Sequence, residues 1–378
     1  MSSPAPRTTP DRCPGALSTH QAADGALARV RLPGGLLTSA QLQVLAHCAA
    51  ELGNGSIELT SRGNMQLRAV TDTDKLARRL ADIGLLPSPS HERVRNIVAS
   101  PLSGRVGGTS DVRSMIGSLD VAVCAELELA DLPGRVLFAL DDGRGDVASL
   151  APDFGVRALA PDRYALLLAG ADSGVRISAE NIIEVLVAAA RHFVELRREE
   201  WRLSELPDGP ARGVARLGLQ PGGSTDFPGT SDSPPPIGWL PQRDGRVALG
   251  AALALGVLDA RSAEFLAAVD KPMAITPWRS LVLCDLDEDA AESVVRVLAP
   301  MGLIFDEHSP WIHASACTGS PGCDKSHADV RADVTAAVDA GNISPGERQH
   351  WSGCERRCGR PKGAVLDVVA GPTGYRVS

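Results

Sequence analysis

Four of the eight cysteines in this 378-residue chain lie in two close pairs near its C-terminal end. The pairs are Cys317 with Cys323 and Cys354 with Cys358, in the segments CTGSPGC and CERRC. The other four cysteines lie singly, in segments without such a pattern. Clustered thiolates bind zinc and iron–sulfur clusters, so the first chemistry that the sequence indicates is metal binding.

The spacing within each pair bears on which metal the thiolates would bind. Structural zinc sites favour about two to four residues between paired ligands. The five residues between Cys317 and Cys323 exceed that range, and the flexible TGSPG segment could pass around a larger body. We therefore predict a [4Fe–4S] cluster on all four cysteines, while zinc and a disulfide pair stay open as alternatives.

Composition is that of a soluble globular protein, with 44% hydrophobic and 22% charged residues. The longest apolar run, residues 247–258, is too short to span a bilayer. The first residues lack the apolar core of a signal peptide, and we predict a disordered leader over 1–24. A cytoplasmic location follows, where thiols stay reduced and paired cysteines favour metal or redox chemistry.

Two segments, residues 25–88 and 245–307, read as copies of one unit. Both follow the order strand, glycine turn, helix, strand, turn, strand, helix, and Thr60 aligns with Thr276. The helices of such a half cover one face of its sheet, which leaves the other face to pair with the twin. Trp278 and Arg279 fall where the first copy has Arg62 and Gly63, so we predict that the halves do not hold equivalent sites.

The other segments complete a plan of half, lobe, connector, half and lobe. Residues 89–206 predict a first lobe, with strands in 135–142 and 163–170 and a helix over 178–200 whose N-cap is Ser178. Residues 207–244, dense in Pro, Gly and Ser, predict a connector. Residues 308–378 form the cysteine-bearing lobe. The predicted fold class is α+β, with two ferredoxin-like half-repeats paired into a pseudo-symmetric unit and two α/β lobes.

This arrangement of C-x5-C, C-x3-C, two halves and two lobes resembles the nitrite and sulfite reductase superfamily, over about residues 25–365. The resemblance implies a [4Fe–4S] cluster on Cys317, Cys323, Cys354 and Cys358, with Cys358 also bridging to a sirohaem iron. It makes 89–206 a sirohaem-type lobe and 308–378 the cluster lobe. The bulky sequence Glu355-Arg356-Arg357 departs from the small residues that are more usual between the last two cysteines.

Four segments, HWSGCERRCGRP, ACTGSPGCDKSH, DLPGRVLFALDDGRGD and TPWRSL, are similar to the branch of this superfamily that makes precorrin-3B in aerobic cobalamin biosynthesis. The resemblance implies an iron–sulfur monooxygenase that hydroxylates precorrin-3A at C-20 with O2 and closes a γ-lactone. A sirohaem-dependent, ferredoxin-type nitrite or sulfite reductase is the alternative. Leu137 stands where the reductases carry a base beside Arg135, which argues against a small oxyanion as substrate. Whether the second iron centre is sirohaem or non-haem iron stays open.

The resemblance also assigns side chains to the carboxylates of a tetrapyrrole. A precorrin is a polycarboxylate, and guanidinium groups bind carboxylates through paired hydrogen bonds. On a chain of net charge −8, such a ligand requires a local positive patch. By motif position the candidates are Arg29, Arg31, Arg62, Gln66, Arg93, Arg95 and Arg135.

The partners follow from the same observations. A negative net charge argues against nucleic acid, and no G-x-G-x-x-G follows a strand to bind a nicotinamide cofactor. We predict a tetrapyrrole substrate, an external electron donor protein and no membrane partner. His313, His327 and His350 flank the cysteines and are weaker candidates for contact with the metal centre. No catalytic residue is assigned beyond the cluster and its bridging ligand Cys358.

Overall fold

The computed structural model describes residue 11 and residues 13–223, 234–344 and 346–378. The chain divides into two compact units. The first unit comprises the described residues of Met1–Gly15, Arg31–Gly35 and Pro87–Ser233. The second comprises those of Ala16–Val30, Leu36–Leu86 and Pro234–Ser378, and therefore holds all four paired cysteines.

Strands and helices are numbered here in chain order. The strands are β1 (His20–Ala22), β2 (Gly25–Val30), β3 (Leu36–Leu37), β4 (Ser56–Leu59), β5 (Met65–Val70), β6 (Ile97–Ala99), β7 (Phe138–Asp141), β8 (Phe154–Ala160), β9 (Arg163–Leu168), β10 (Ala171–Ile177), β11 (Gly238–Pro241), β12 (Val247–Leu253), β13 (Val257–Asp259), β14 (Met273–Ile275), β15 (Ser280–Leu286), β16 (Leu303–Ile304), β17 (Ala314–Ala316), β18 (Gln349–Ser352), β19 (Leu366–Gly371) and β20 (Gly374–Val377). The α-helices are α1 (Ser39–Leu52), α2 (Thr73–Asp82), α3 (Arg113–Ala125), α4 (Ile182–Leu196), α5 (Gly209–Arg216), α6 (Ala260–Ala268), α7 (Glu288–Leu298) and α8 (Val330–Asp339).

The first unit is an α/β lobe built on a five-stranded sheet in the order β10-β9-β8-β7-β6. Strands β6, β7 and β8 are parallel, whereas β8, β9 and β10 are antiparallel. Helices α3 and α4 pack against this sheet around a core that includes Phe138, Phe154 and Phe193. The two strands expected in 135–142 and 163–170 are present as β7 and β9.

Three local details of the structure differ from the sequence expectation. The helix expected from 178 begins at Ile182, after a 3-10 turn at Ala179–Asn181, and Ser178 makes no capping hydrogen bond to it. The stretch 207–244, expected to be a connector, contains α5 and β11. The expected leader 1–24 contains β1, while residues 1–10 and 12 lie outside the described residues.

The second unit contains two matching halves that exchange a short strand. The first half supplies β2, α1, β4, β5 and α2, and the second supplies β12, α6, β14, β15 and α7 in the same order. One sheet has the order β1-β2-β5-β4-β13, and the other has β11-β12-β15-β14-β3, with β16 also paired to β12. Strand β13 of the second half thus completes the first sheet, and β3 of the first half completes the second. The predicted α+β class with paired ferredoxin-like halves is confirmed.

Helices α1 and α6, which correspond in the two halves, each begin at a polar N-cap residue. The Thr38 hydroxyl accepts a hydrogen bond from the Gln41 backbone at the start of α1, and the Gln41 side chain accepts one from the Thr38 backbone. At the start of α6, Asp259 accepts from the Ser262 backbone. Each cap directly follows or ends an exchanged strand, so the polar residue that stops β3 or β13 also starts the helix.

A third sheet in the second unit, in the order β17-β18-β19-β20, carries the cysteine segments. Strands β17, β18 and β19 are parallel, and β20 is antiparallel to β19. Helix α8 covers it with buried Val330 and Val334 packed near Ala314 and Ala316. Among the described residues, no helix combines the length and the apolar character needed to cross a membrane.

Register gives the two halves different side chains at matched positions of their sheets. In the first half, Arg29 lies opposite Gln66, and Gln66 lies opposite Glu58. In the second half the row is Gly250, Val282 and Ala274. A methyl group added to Gly250 would lie 1.8 Å from the carbonyl oxygen of Pro236, so backbone covers this position. The second sheet therefore has no space for a polar side chain where the first sheet carries Arg29.

We predict that Gly250→Ala destabilises the protein by about 1–3 kcal/mol, because the new methyl group meets backbone that cannot move aside. The matched control is Gly117→Ala on the exposed face of α3, where an added methyl group meets nothing within 4 Å. The control should raise stability by about 0.5–1 kcal/mol, because alanine favours a helix over glycine. Urea unfolding of both variants measures the difference. Equal stabilities would contradict the close approach at Gly250.

Candidate functional site

The two cysteine pairs begin at the same edge of one parallel sheet. Cys317 directly follows β17, and Cys354 lies just beyond the end of β18. These strands are neighbours, with Ala316 opposite Trp351, and the Cys317 amide donates to the Trp351 carbonyl over 3.0 Å. Because parallel strands end on the same side, the fold brings together two cysteines that are 37 positions apart in the chain.

The other three cysteines of the two pairs lie within electrostatic range of Cys358. Each of the four is a free cysteine, with Cys358 exposed and the other three half-buried. Burial raises the pKa of the Cys358 thiol, the charge of Arg356 lowers it, and the thiols of Cys317, Cys354 and Cys323 each raise it. Three further thiols close enough to act on one sulfur are what a shared metal centre requires.

Gly353 cross-links the two cysteine segments. Its amide donates to the sulfur of Cys317 over 3.2 Å, and its carbonyl accepts from the His327 amide over 2.8 Å. A side chain at this position would collide with Ser326, since an added methyl group would lie 1.8 Å from the Ser326 hydroxyl. An amide that donates to a ligand sulfur is one of the contacts by which proteins stabilise iron–sulfur clusters.

The donor set suits a sulfur-rich cluster. The Ser352 hydroxyl is buried without a hydrogen-bond partner among the described residues. His350 Nδ1 lies 2.9 Å from the Ser315 hydroxyl, and burial together with the charge of Arg279 lowers the pKa of His350 to about 4. Buried polar atoms without partners carry a cost that a bound group can remove. Four thiols with such an atom beside them fit a [4Fe–4S] cluster.

The Glu355-Arg356-Arg357 segment is held largely against the neighbouring strands. The Glu355 carboxylate accepts from Arg376 on β20 over 2.6 Å, and Arg357 forms an ion pair with Asp367 on β19 over 3.2 Å. Arg360 binds the same Asp367 carboxylate. Two of the three bulky residues between the last two cysteines are therefore occupied by ion pairs within the cluster lobe.

Arg68 forms hydrogen bonds to both ends of the loop between the first two cysteines. Its guanidinium makes two hydrogen bonds of 2.8 Å to Asp24, and it also donates to the Thr318 hydroxyl and to the Gly322 carbonyl. The residue is only 6% exposed. Since Thr318 and Gly322 lie inside the CTGSPGC segment, one buried arginine of the first half fixes both ends of that loop.

A row of polar side chains leads from the first half to the cysteine lobe. Arg29 donates to the Gln66 amide oxygen over 3.1 Å, and Gln66 donates to Glu58 over 2.6 Å. The other oxygen of Glu58 pairs with Arg331 over 2.6 Å, and Arg331 donates to the Cys317 carbonyl over 3.4 Å. We call these four side chains, Arg29, Gln66, Glu58 and Arg331, the polar row. It connects two predicted tetrapyrrole-binding residues to a predicted metal ligand.

Arg62 lies in the turn between β4 and β5, at the end of the same sheet. The side chain is half-buried, and its backbone amide donates to the Thr60 hydroxyl over 3.4 Å. Three of the predicted ligand-binding residues, Arg29, Arg62 and Gln66, therefore belong to the second unit and to one sheet.

The other four candidate residues belong to the first unit. Arg31 is 2% exposed and donates to the Arg93 carbonyl, while Arg93 donates to the Asp11 carbonyl. Arg95 makes two hydrogen bonds of 2.7 Å to Asp120 on α3, so its guanidinium fork is already bound to a carboxylate of the chain. Arg135 is exposed and stacks over Trp201 at 4.7 Å. Leu137 lies in an apolar cluster with Val98, Ala139 and Val147.

Comparison with known proteins bears on what these elements are. Residues 20–83 match the family described as the nitrite/sulfite reductase ferredoxin-like half domain. The first half of the second unit is therefore similar to that half domain. The match covers β1, β2 and β5 as well as Arg29, Arg62 and Gln66.

Individual relatives extend the likeness beyond the half domain. A precorrin-3B synthase of Sinorhizobium sp is 25% identical over 381 residues, covering 96% of this chain and 81% of the relative. A ferredoxin–nitrite reductase of Synechococcus elongatus is 36% identical over 127 residues, which cover 31% of this chain and 25% of the relative. The solved structure of the NirA protein of Mycobacterium tuberculosis matches with a TM-score of 0.75 at 18% identity, over 93% of this chain and 73% of that one. The resemblance found in the sequence is confirmed, and the ferredoxin–nitrite reductase is a redox enzyme by name.

Four residues near the half domain and the cysteines were not anticipated from the sequence: Glu58, Arg68, Arg279 and Arg331. A signal for the first two exists in IELTSRGNMQLRAV, where polar residues alternate with apolar ones on both sides of a turn. That pattern usually marks a solvent-exposed face, whereas Glu58 and Arg68 are 5% and 6% exposed. Their burial depends on partners in the cysteine lobe, which local patterning does not reveal.

In the described part of the chain, the cluster of carboxylates close enough to share a cation is Asp141, Asp142 and Asp146, in the motif DDGRGD. Asp141 accepts hydrogen bonds from three backbone amides, and Asp142 binds the Arg144 guanidinium. Asp146 accepts from the Ser100 hydroxyl and from the Val147 amide. These contacts satisfy the carboxylates within the turn, so they explain the motif without a metal.

For Arg68→Met we predict a loss of about 3 kcal/mol in stability, because the change leaves the Asp24 carboxylate without its partner and removes both loop contacts. Arg78→Met on the exposed face of α2 is the matched control and should change stability by less than about 0.5 kcal/mol. Urea unfolding measures both. A loss below 0.5 kcal/mol for Arg68→Met would show that these contacts contribute nothing.

A pH dependence follows from Asp146. Burial, and next the charge of Asp141, raise its pKa to about 7. The folded chain then holds a proton that the unfolded chain releases above about pH 4, so stability falls as the pH rises from about 4 to 7. Asp146→Asn removes this dependence. Between pH 5 and 7 we expect the free energy of unfolding of the wild type to fall by about 2 kcal/mol relative to that of the variant.

Denaturant unfolding across that pH range measures the dependence. Asp82→Asn, at the exposed end of α2, controls for removal of a surface charge and should run parallel to the wild type. Parallel curves for the wild type and Asp146→Asn would contradict the raised pKa.

Proposed function

We propose that the protein is an iron–sulfur monooxygenase that converts precorrin-3A to precorrin-3B. The observation that carries the proposal is the placement of Cys317 and Cys354 at the ends of the neighbouring strands β17 and β18, with Cys323 within electrostatic range of Cys358 in the same lobe. Likeness to a precorrin-3B synthase over 96% of the chain supports the choice of substrate. The reaction adds one oxygen atom of O2 at C-20 and closes a γ-lactone, while the other oxygen atom leaves as water.

The reaction requires two electrons and two protons besides O2. A [4Fe–4S] cluster on the four cysteines would supply single-electron transfer, and the electrons would come from an external donor protein. The second iron centre, either sirohaem or non-haem iron, is not assigned by this chemistry. Cys358 as its bridging ligand is carried over from the resemblance.

The polar row would fix the orientation of Arg29, one of the side chains proposed to bind the substrate's carboxylates. Gln66 accepts from Arg29 and donates to Glu58, so its amide has one orientation and holds Arg29 against the strand. Arg29 and Arg62, at the same sheet, would bind carboxylates, and a guanidinium held in place loses little freedom on binding. The roles of Arg31, Arg93, Arg95 and Arg135 remain predictions from the resemblance, and for Arg95 the ion pair with Asp120 favours a structural role.

A sirohaem-dependent nitrite reductase is the second candidate. It is supported by the ferredoxin–nitrite reductase that is 36% identical over 127 residues. The apolar surroundings of Leu137 count against it, because a nitrite reductase needs cationic groups around a small oxyanion.

Anaerobic purification followed by turnover under isotopically labelled O2 tests the proposal. We expect brown protein with iron and sulfide, and incubation with precorrin-3A, dithionite-reduced donor and labelled O2 should give product with one labelled oxygen. Cys358→Ser should lose cluster absorbance and lower turnover on the order of 100-fold or more. Cys124→Ser, at the end of α3 in the first unit, is the matched control and should retain both.

Other outcomes have distinct meanings. Product without label, or unchanged precorrin-3A, would refute the oxygenase. Stoichiometric sirohaem with turnover of nitrite would establish the second candidate instead. Zinc in place of iron would refute the iron–sulfur centre.

A further inference from the structure

Arg279 occupies a backbone position that its counterpart fills with glycine. It lies in the turn between β14 and β15 with a φ of 57°, and Gly63 has a φ of 65° in the matching turn of the first half. The hydrogen bonds of the two turns correspond as well. Arg279 donates to Thr276 and Gly63 donates to Thr60, each over 3.1 Å. A side chain in the left-handed region is strained, and contacts elsewhere must hold it there.

The side chain of Arg279 is seated between two glycines. A methyl group added to Gly256 would lie 2.9 Å from the Cβ atom of Arg279, and one added to Gly359 would lie 2.7 Å from its Nη2 atom. Both glycines have a positive φ, at 69° and 80°. Nη2 donates to the Gly359 carbonyl over 3.0 Å. Gly359 directly follows Cys358, so the guanidinium contacts the chain immediately beside a predicted ligand.

The charges around Arg279 are those of the cysteine site. Burial lowers the pKa of Arg279, Glu58 raises it, Arg331 lowers it and Cys317 raises it. Arg279 in turn acts on His350, beside the second cysteine pair. The guanidinium therefore lies within electrostatic range of Cys317 and contacts the residue after Cys358. It approaches both cysteine segments, whereas Arg331 contacts only the first of them in the interactions described.

We propose that Arg279 is a positioning residue for the metal centre, and that its charge raises the reduction potential of a cluster held by the four cysteines. The inference rests on the proposed iron–sulfur centre. A [4Fe–4S] cluster with four thiolates is more negative when reduced than when oxidised. A half-buried positive charge beside the ligands therefore stabilises the reduced state more, and electron transfer into the cluster becomes more favourable.

Two variants separate the charge of Arg279 from its shape. Arg279→Gln removes the charge and keeps a planar group that can donate to Gly359, whereas Arg279→Lys keeps the charge and loses the planar fork. The measurement is the midpoint potential of the full-length, anaerobically purified protein, followed by electron paramagnetic resonance during a redox titration. Iron and sulfide content are determined on the same samples. The control is Arg261→Gln, an exposed arginine of α6 in the same unit.

At the midpoint potential of the wild type, we expect the ratio of oxidised to reduced cluster in Arg279→Gln to rise about tenfold, which corresponds to about 59 mV for a one-electron couple. Arg279→Lys should keep that ratio within about threefold of the wild type, and Arg261→Gln should leave it unchanged. A fully loaded Arg279→Gln protein with the wild-type potential would overturn the inference.

The remaining outcomes also decide the question. If Arg279→Gln does not retain its cluster, the result for Arg279→Lys decides. A midpoint potential equal to that of the wild type in Arg279→Lys supports the role of the charge. A tenfold change in its ratio of oxidised to reduced cluster refutes that role. Wild-type protein that binds no cluster would refute the iron–sulfur centre of the proposed function. In that case no midpoint potential can be measured. Failure of the Arg279 inference alone would instead leave a loaded cluster with the same midpoint potential in Arg279→Gln as in the wild type.

Discussion

Buried charge on one face of a single sheet constrains the rest of the second unit. Glu58 and Arg68 sit on adjacent strands, and neither is more than 6% exposed. An unpaired charge in such a place costs several kcal/mol, so partners must be brought to it. Asp24 is the nearby partner, whereas Arg331, Thr318 and Gly322 come from the cysteine segments. The contacts that pair these charges therefore also fix the position of the cysteine segments.

The duplicated halves keep the backbone and differ in what it carries. The turn at Thr60 and the turn at Thr276 share their hydrogen bonds and their left-handed residue, yet one has Gly63 there and the other Arg279. Where the first sheet presents Arg29, Gln66 and Glu58, the second is closed by Gly250 against Pro236. The first half presents polar side chains at these positions, whereas the second presents apolar ones and sends Arg279 to the residue after Cys358.

The sequence predicted what depends on local pattern. Cysteine spacing pointed to a shared centre, and the repeat gave the order of strands and helices in both halves. What it could not predict depends on contacts between distant residues, such as the bonds from Arg68 to Thr318 and Gly322, which are 250 and 254 positions away. The Gly and Pro residues of 207–244 gave no sign of α5, and the motif that contains Arg95 gave no sign of its ion pair with Asp120. The role of each arginine depends on the residues that it contacts in the fold, and a short sequence motif does not identify those residues.

The strand exchange has a consequence for how the protein reaches its native state. Ile57 pairs with Leu258, and Leu37 pairs with Met273, so neither sheet can be completed until more than two hundred further residues have been synthesised. Bringing such distant segments together costs loop entropy and slows folding. During synthesis the first half must wait with an open edge at β4, which is a surface prone to wrong pairing. Arg331 of the polar row and the CTGSPGC loop that Arg68 binds lie still further along the chain, so these contacts form only after the exchanged strands have been synthesised.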